Sequence, residues 1–212
     1  MSNIALLQTV LMFTDSLPVT IEYDSLVKEC FKVFGEPLHV WNGNSTIKEL
    51  PLYTANGPRS TVAIQNARIS IERTKIDNPV TELEELVQAL DRIAEKIGVD
   101  YSFRYRLGIV MTIQDKTKKI KNHAAGALNE DKLDSPEFNV SYLEKSTEGN
   151  VKVNKWEVIN YDANQEQSVL VIDTNSDMNN EFYLGRTKPS DVYNNLKGVL
   201  MNAYERFDNT IS

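Results

Sequence analysis

The chain has 212 residues, of which 41% are hydrophobic and 25% are charged, a composition typical of a folded globular protein rather than a disordered one. Its formal net charge of −7 argues against sequence-independent attraction to nucleic acid or to anionic lipid. Because Cys30 is the single cysteine, an intramolecular disulfide and a multi-cysteine zinc site are excluded.

The first part of the chain predicts strands and one helix. Residues 4–13 are mostly apolar and predict a buried strand. Residues 24–35 place apolar side chains at helical spacing and end in a glycine, which predicts a helix with a defined stop. Residues 42–60 are rich in Gly, Asn and Pro and predict loops. Alternating apolar residues in 62–71 predict a hairpin that turns at residues 65–66.

The clearest helix signal follows. Asn78 can cap a helix and Pro79 fits its first turn. Residues 83–97 then carry one continuous apolar stripe, and Gly98 suits the position just beyond the helix end. Strict alternation of apolar residues in 103–113 predicts a long, half-buried strand.

The second half begins with a polar segment, residues 114–135, which predicts a mobile connection. We expect His123 to be a solvated loop residue there. Apolar patterns then predict three more strands and a final helix that opens at a proline. Their ranges are 138–142, 151–158, 169–172 and 189–207.

Consecutive strands with short turns and few helices argue against a doubly wound parallel sheet. The predicted fold class is α+β, with antiparallel sheets covered on one side by long amphipathic helices, in two similar lobes of one compact unit. We expect an N-terminal lobe at 1–114, a Lys-rich connection at 115–135, and C-terminal strands with a long helix at 136–212. One continuous domain is the alternative.

The order of four predicted elements resembles that of a sporadically distributed bacterial family of uncharacterised α+β proteins: a hairpin, a long helix, an Arg-Tyr-containing strand and a C-terminal helix. Here Ile71-Glu72-Arg73 and Tyr105-Arg106 occupy the positions of the family's basic and aromatic residues. Ile69 and Ile71 stand where a tryptophan often occurs. The resemblance implies a fold but no activity, and the family's patchy occurrence implies mobile or defence-related genes of bacteria or phages.

Motifs for nucleotide binding, zinc proteases and serine hydrolases are absent from the sequence. The run from Asp173 to Asp177 starts like a calcium loop. Met178 and Leu184 stand where such a loop needs Gly and Glu, so the run predicts a strand-ending turn. We therefore expect no metal site, no cofactor and no catalytic residue.

Grouped arginines are the most specific candidate site. Arg104 and Arg106 share one face of a predicted strand, and Arg68 and Arg73 come from a hairpin predicted in the same sheet. Guanidinium groups bind phosphate and carboxylate bidentately, so the group predicts a site for an anionic ligand or an acidic partner surface. The alternative is that Glu72 and neighbouring acids neutralise the arginines in pairs across strands.

A lysine run is the second basic feature, formed by Lys116, Lys118, Lys119 and Lys121. It lacks the interleaved aromatic residues on which single-stranded nucleic acid stacks. The run therefore predicts a solvated flexible loop, and contact with a phosphate backbone is the alternative.

These observations favour a non-enzymatic protein-binding or assembly protein in bacterial or phage conflict, with another protein or a second copy as its partner. Residues 1–4 lack the basic segment of a signal peptide, and no apolar run reaches the roughly 18 residues of a membrane span, which predicts a cytoplasmic location. A nucleic-acid-binding module and an enzyme with a dispersed site are the alternatives. A pocket that holds Arg104 or Arg106 beside a buried carboxylate of perturbed pKa favours the enzyme.

Overall fold

The structure is a computed structural model that describes residues 3–13, 23–35, 39–42, 53–65, 67–99, 101, 105–126, 128, 133–177 and 187–211. The elements in these ranges are β1 Asn3–Phe13, α1 Tyr23–Phe34, β2 His39–Asn42, β3 Tyr53–Asn56, β4 Ser60–Gln65, β5 Arg68–Arg73, α2 Pro79–Lys96, β6 Tyr105–Lys116, α3 Thr117–Ala124, β7 Glu137–Glu148, β8 Val151–Asp162, β9 Gln167–Ser176 and α4 Pro189–Asp208. None of the described helices is long and apolar enough to cross a membrane.

The nine described strands form one sheet in the order β2-β3-β4-β5-β1-β6-β9-β8-β7. Every neighbouring pair of strands is antiparallel. The first strand, β1, lies at the centre between β5 and β6. Strand β6 then pairs with β9, so hydrogen bonds of one sheet connect the two halves of the chain.

The predicted fold class is wrong. The strands do not form separate antiparallel sheets of two similar lobes covered by helices. They form one large antiparallel sheet, which is the dominant element of the described structure. Local patterns predicted most strands individually. They carried no information on the pairing of β1 with β6, which joins residues about a hundred positions apart.

The core lies against one face of this sheet, called the inner face. Leu7 and Leu11 of β1 and Leu107 and Ile109 of β6 project from it and are fully buried. The predicted apolar stripe of α2 packs on β1 and β5. As the capping pattern predicts, Asn78 Oδ1 accepts a hydrogen bond from the Thr81 amide at 3.2 Å.

The opposite face, called the outer face, carries the alternate residues of the same strands. Gln8, Val10 and Met12 of β1 are on it, and Arg106 and Val110 of β6 lie beside them. Each described helix has a side-chain contact with a residue of the inner face, Arg73 for α1 and α2 and Glu157 for α3 and α4. The described helices therefore pack against the inner face.

Candidate functional site

Two of the predicted arginines meet on the outer face. Arg68 of β5 and Arg106 of β6 are both register partners of Met12 in the central strand β1. Residues two strands apart in a sheet are separated by roughly 10 Å, a distance that long guanidinium side chains can bridge toward one ligand. The tertiary pairing of β1 thus brings together residues that are far apart in the sequence.

A concave site begins beside these arginines. The next row across the sheet is Val10, Gly108 and Asn175, and the row after it is Gln8, Val110 and Asp173. The cavity over these rows has a volume of about 230 Å³. We call it the arginine pocket, lined by Gln8, Val10, Met12, Arg68, Arg106, Gly108, Val110, Asp173 and Asn175.

Gly108 leaves the middle row of the arginine pocket without a side chain. A Cβ atom at this position would lie 3.8 Å from Asn175 Cβ, 3.9 Å from Val10 Cβ and 4.0 Å from Asp173 Oδ1. These are ordinary van der Waals distances, so the backbone does not require a glycine here. The glycine therefore makes space between the pocket residues rather than relieving strain.

The two arginines make no direct ion pair within the described part of the chain. Neither Arg68 nor Arg106 makes an ion pair there, and the buried Nε of Arg68 has no hydrogen-bond partner. Arg106 Nη2 lies 2.9 Å from the Sδ atom of Met12, which is a weak acceptor. The predicted alternative, pairing with Glu72, is not seen for these two residues: Glu72 makes no direct ion pair with either arginine, and its carboxylate accepts a hydrogen bond from Gln8.

Asp173 and Asn175 complete the polar lining. Asn175 Nδ2 donates to Asp173 Oδ1 at 3.3 Å, while the buried Oδ1 of Asn175 has no partner among the described residues. Burial raises the pKa of Asp173, and the Asn175 hydrogen bond and the Arg106 charge oppose this shift without cancelling it. A carboxyl group with a raised pKa thus lies in the same pocket as two guanidinium groups that make no direct ion pair.

An apolar patch lies next to the arginine pocket on the outer face. Trp156 of β8 is the register partner of Asp173, and Leu143 of β7 is the partner of Trp156. Both are large, with exposed fractions of 38% for Trp156 and 39% for Leu143. Exposed aromatic residues beside polar groups are typical of protein interaction sites.

The remaining predicted arginines do not join this pocket. Arg104 lies outside the described residues. Arg73 projects from the inner face, where it is 7% exposed, and it forms ion pairs with Glu82 and Glu85. Arg73 is therefore neutralised, by acidic residues of α2 rather than by acids across the strands. Arg68 and Arg73 are an odd number of positions apart in one strand, and successive residues of a strand face opposite sides of the sheet. The two arginines consequently lie on opposite faces.

The lysine run spans the end of β6 and helix α3 instead of a loop. Lys116 and Lys118 are exposed, whereas Lys119 is buried, with Asp115 and Asp208 as ion-pair partners. The Nζ atom of Lys121 lies 6.0 Å from the centre of the Tyr161 ring. Lys119 is thus taken up by ion pairs within the chain, and Lys116 and Lys118 are the exposed lysines of the run.

A second polar cluster escaped the sequence analysis. Glu157 of β8 lies on the inner face and is 1% exposed. Its carboxylate lies 2.9 Å from His123 Nε2 and 2.8 Å from Lys155 Nζ. It also accepts a hydrogen bond from the Tyr142 hydroxyl, and Arg206 lies 3.7 Å away. We call this cluster the Glu157 network.

The members of the Glu157 network are hydrogen-bonded and ion-paired to one another. Burial alone raises the pKa of Glu157, but hydrogen bonds from His123, Lys155 and Tyr142 outweigh it and lower the pKa to about 2. Lys155 is also paired with Glu144 at 2.6 Å. These groups satisfy one another, and their contacts connect α3 and α4 to the sheet.

Two local predictions are corrected by these positions. His123 belongs to α3, with a side chain only 11% exposed, and not to a solvated loop. Asp173 and Asn175 lie within β9, not in a strand-ending turn. The signal that could have found them is alternation, because Asp173 and Asn175 continue the strand period of Val169 and Val171 on one face.

No group of three or more His, Cys, Asp or Glu side chains in the described residues is arranged to hold a metal ion. No protein-family model matches the chain, and no curated protein matches its sequence. The resemblance to a bacterial family stays a prediction, and the function has to be argued from the site.

Proposed function

We propose that the protein works by binding and that its partner is another protein, which places an acidic side chain in the arginine pocket. One observation carries this proposal: Arg68 and Arg106 line one concave site, and neither makes a direct ion pair among the described residues. Unpaired cationic groups in a chain of net charge −7 are not explained by folding. Carboxylates are the natural complement of guanidinium groups.

The apolar patch supports a protein as the partner. Trp156 and Leu143 border the pocket row of Asp173, so one partner segment could contact the pocket and the patch together. Tryptophan and arginine are the residue types most enriched among energetically important interface residues. A free small anion would use the pocket and leave the patch exposed.

A second candidate function has a specific observation in its favour. The arginine pocket holds Arg106 beside Asp173, a carboxyl group whose pKa is raised by burial, which is the combination expected of an enzyme. Asp173 could then exchange a proton with a substrate bound by the arginines. However, the described lining contains no Ser, Thr, Cys, His, Lys or Tyr side chain, and its volume is smaller than the roughly 300–1,000 Å³ of common small-molecule sites. Binding is the better supported function.

The experiment compares two double charge reversals. Tagged protein purified from its native host would identify a partner, which is then produced separately and titrated against each variant. We expect R68E with R106E to abolish binding, since each new carboxylate repels the acidic segment. R92E with K96E changes the net charge equally on exposed positions of α2 and should bind normally.

Capture of a protein from the host does not by itself support the proposal. Support requires that reversing one acidic residue of the partner to arginine restores binding to the R106E variant. Equal binding by both double variants would overturn the proposal. If light scattering shows a multiple of the 24.1 kDa chain mass that the R68E and R106E variant loses, the partner is a second copy. Binding of labelled single-stranded DNA that falls steeply with salt would instead favour the nucleic-acid alternative.

A further inference from the structure

We infer that the arginine pocket selects a carboxylate over a phosphate, and that Asp173 is the residue that determines this selectivity. The inference deepens the proposed function, because it names the chemical group that the pocket accepts. It rests on the charges and positions of the lining residues and not on the identity of any partner.

The charge of the lining matches a single negative charge. Arg68, Arg106 and Asp173 are the charged residues of the described lining, and they leave a formal charge of +1 when Asp173 is ionised. A carboxylate neutralises this charge, whereas a phosphate dianion leaves an excess negative charge in a partly buried site. Interactions between charges are stronger there than in bulk water.

Asp173 lies close enough to the floor of the pocket to repel a bound anion. Its Oδ1 atom is 4.0 Å from the place where a Gly108 Cβ would lie, so the carboxyl borders the floor of the pocket. Asn175 holds that oxygen through a hydrogen bond. Two arginines without this acid would favour a phosphate dianion, and the Asp173 charge shifts the preference to a carboxylate.

The test uses sodium acetate and sodium phosphate as probes at pH 8, where phosphate is mainly a dianion, with ionic strength held constant. Binding is followed by NMR through the backbone amide of Gly108 and the indole N–H of Trp156 in the full chain. We expect acetate to bind at least about tenfold more tightly than phosphate, equal to about 1.4 kcal/mol. The R106Q variant should lose the acetate response.

The D173N variant keeps the shape of the side chain and removes its charge. It should bind phosphate more tightly than the unsubstituted protein does, and the preference for acetate should fall or reverse. Phosphate binding as tight as acetate binding in the unsubstituted protein overturns the inference. So does an acetate-to-phosphate ratio that D173N leaves unchanged. The ratio in the unsubstituted protein decides the matter by itself if D173N does not fold.

The outcomes separate this inference from the proposed function. In one outcome the pocket prefers acetate, but R68E and R106E do not change partner binding. The pocket would then bind a free carboxylate, and the protein-binding proposal would fail. Partner binding that needs both arginines, without a preference for acetate, would overturn the selectivity alone.

Discussion

The arginine pocket and the Glu157 network contain similar residue types but differ in the pKa shifts of their carboxyl groups and in the pairing of their cations. Glu157 is surrounded by donors and its pKa is lowered to about 2, whereas burial raises the pKa of Asp173. Lys155 pairs with two glutamates, whereas Arg68 and Arg106 make no direct ion pair among the described residues. The comparison indicates that a cluster of charged side chains is a candidate binding site where the side chains are not paired with one another.

Position in the sheet explains this contrast. The Glu157 network lies on the inner face between β8 and the helices α3 and α4, which supply His123 and Arg206 as partners. The arginine pocket lies on the outer face, where neighbouring strands supply the described lining. Helices thus bring the partners that close the first cluster, and no described helix residue lines the second.

The largest effect on stability should come from breaking the closed cluster. E157Q removes the negative charge that His123, Lys155 and Arg206 face, and loss of one partner from a buried ion pair costs about 3–5 kcal/mol. Urea unfolding monitored by circular dichroism measures the change. The matched substitution D173N on the outer face should cost less than E157Q, because it removes a charge that burial disfavours. Equal effects of the two substitutions would contradict the division into a structural and a functional cluster.

The second largest effect on stability should come from low pH, at which Glu157 becomes protonated. A pKa lowered from 4.5 to about 2 means that the contribution of Glu157 is fully present above pH 4.5 and is lost as the pH falls toward 2. That contribution amounts to at most about 3 kcal/mol, at 1.36 kcal/mol for each pKa unit. Asp173 works in the opposite direction, because its raised pKa gives stability that is present at low pH and lost as the pH rises.

Urea midpoints at pH 7, 5 and 3 would check the acid prediction. E157Q should flatten the loss of stability between pH 5 and pH 3 relative to the unsubstituted protein. D173N should preserve that loss and remove only the small opposing trend. If both variants follow the unsubstituted curve, neither carboxylate contributes as the structure indicates.

The smallest effect on stability should come from filling the pocket. G108A places a methyl group at ordinary contact distances, and alanine is favoured over glycine in a strand by roughly 0.5–1 kcal/mol. We therefore expect unchanged or slightly higher thermal stability together with weaker acetate binding. A G108A protein that unfolds more easily would show that the glycine serves the fold. A stable G108A protein with undiminished acetate binding would place the ligand elsewhere.

The arginine site was predictable in part. Alternation in the strand placed Arg106, Gly108 and Val110 on one face, as the structure has them. Arg68 could be assigned to the same sheet but not to a distance from Arg106, because that depends on β1 lying between β5 and β6. Asp173 and Asn175 were overlooked since polar residues at the end of a strand look like a turn when one sequence is read alone.

The sequence by itself determined the local elements, including the capped helix α2 and the alternating strand β6, because periodicity and capping act over a few residues. Only the tertiary structure decided that all nine described strands form one sheet, that Arg73 is neutralised while Arg68 and Arg106 are not, and that His123 meets Glu157. These outcomes depend on strand order, and strand order is set by the joint burial of apolar faces across the whole chain.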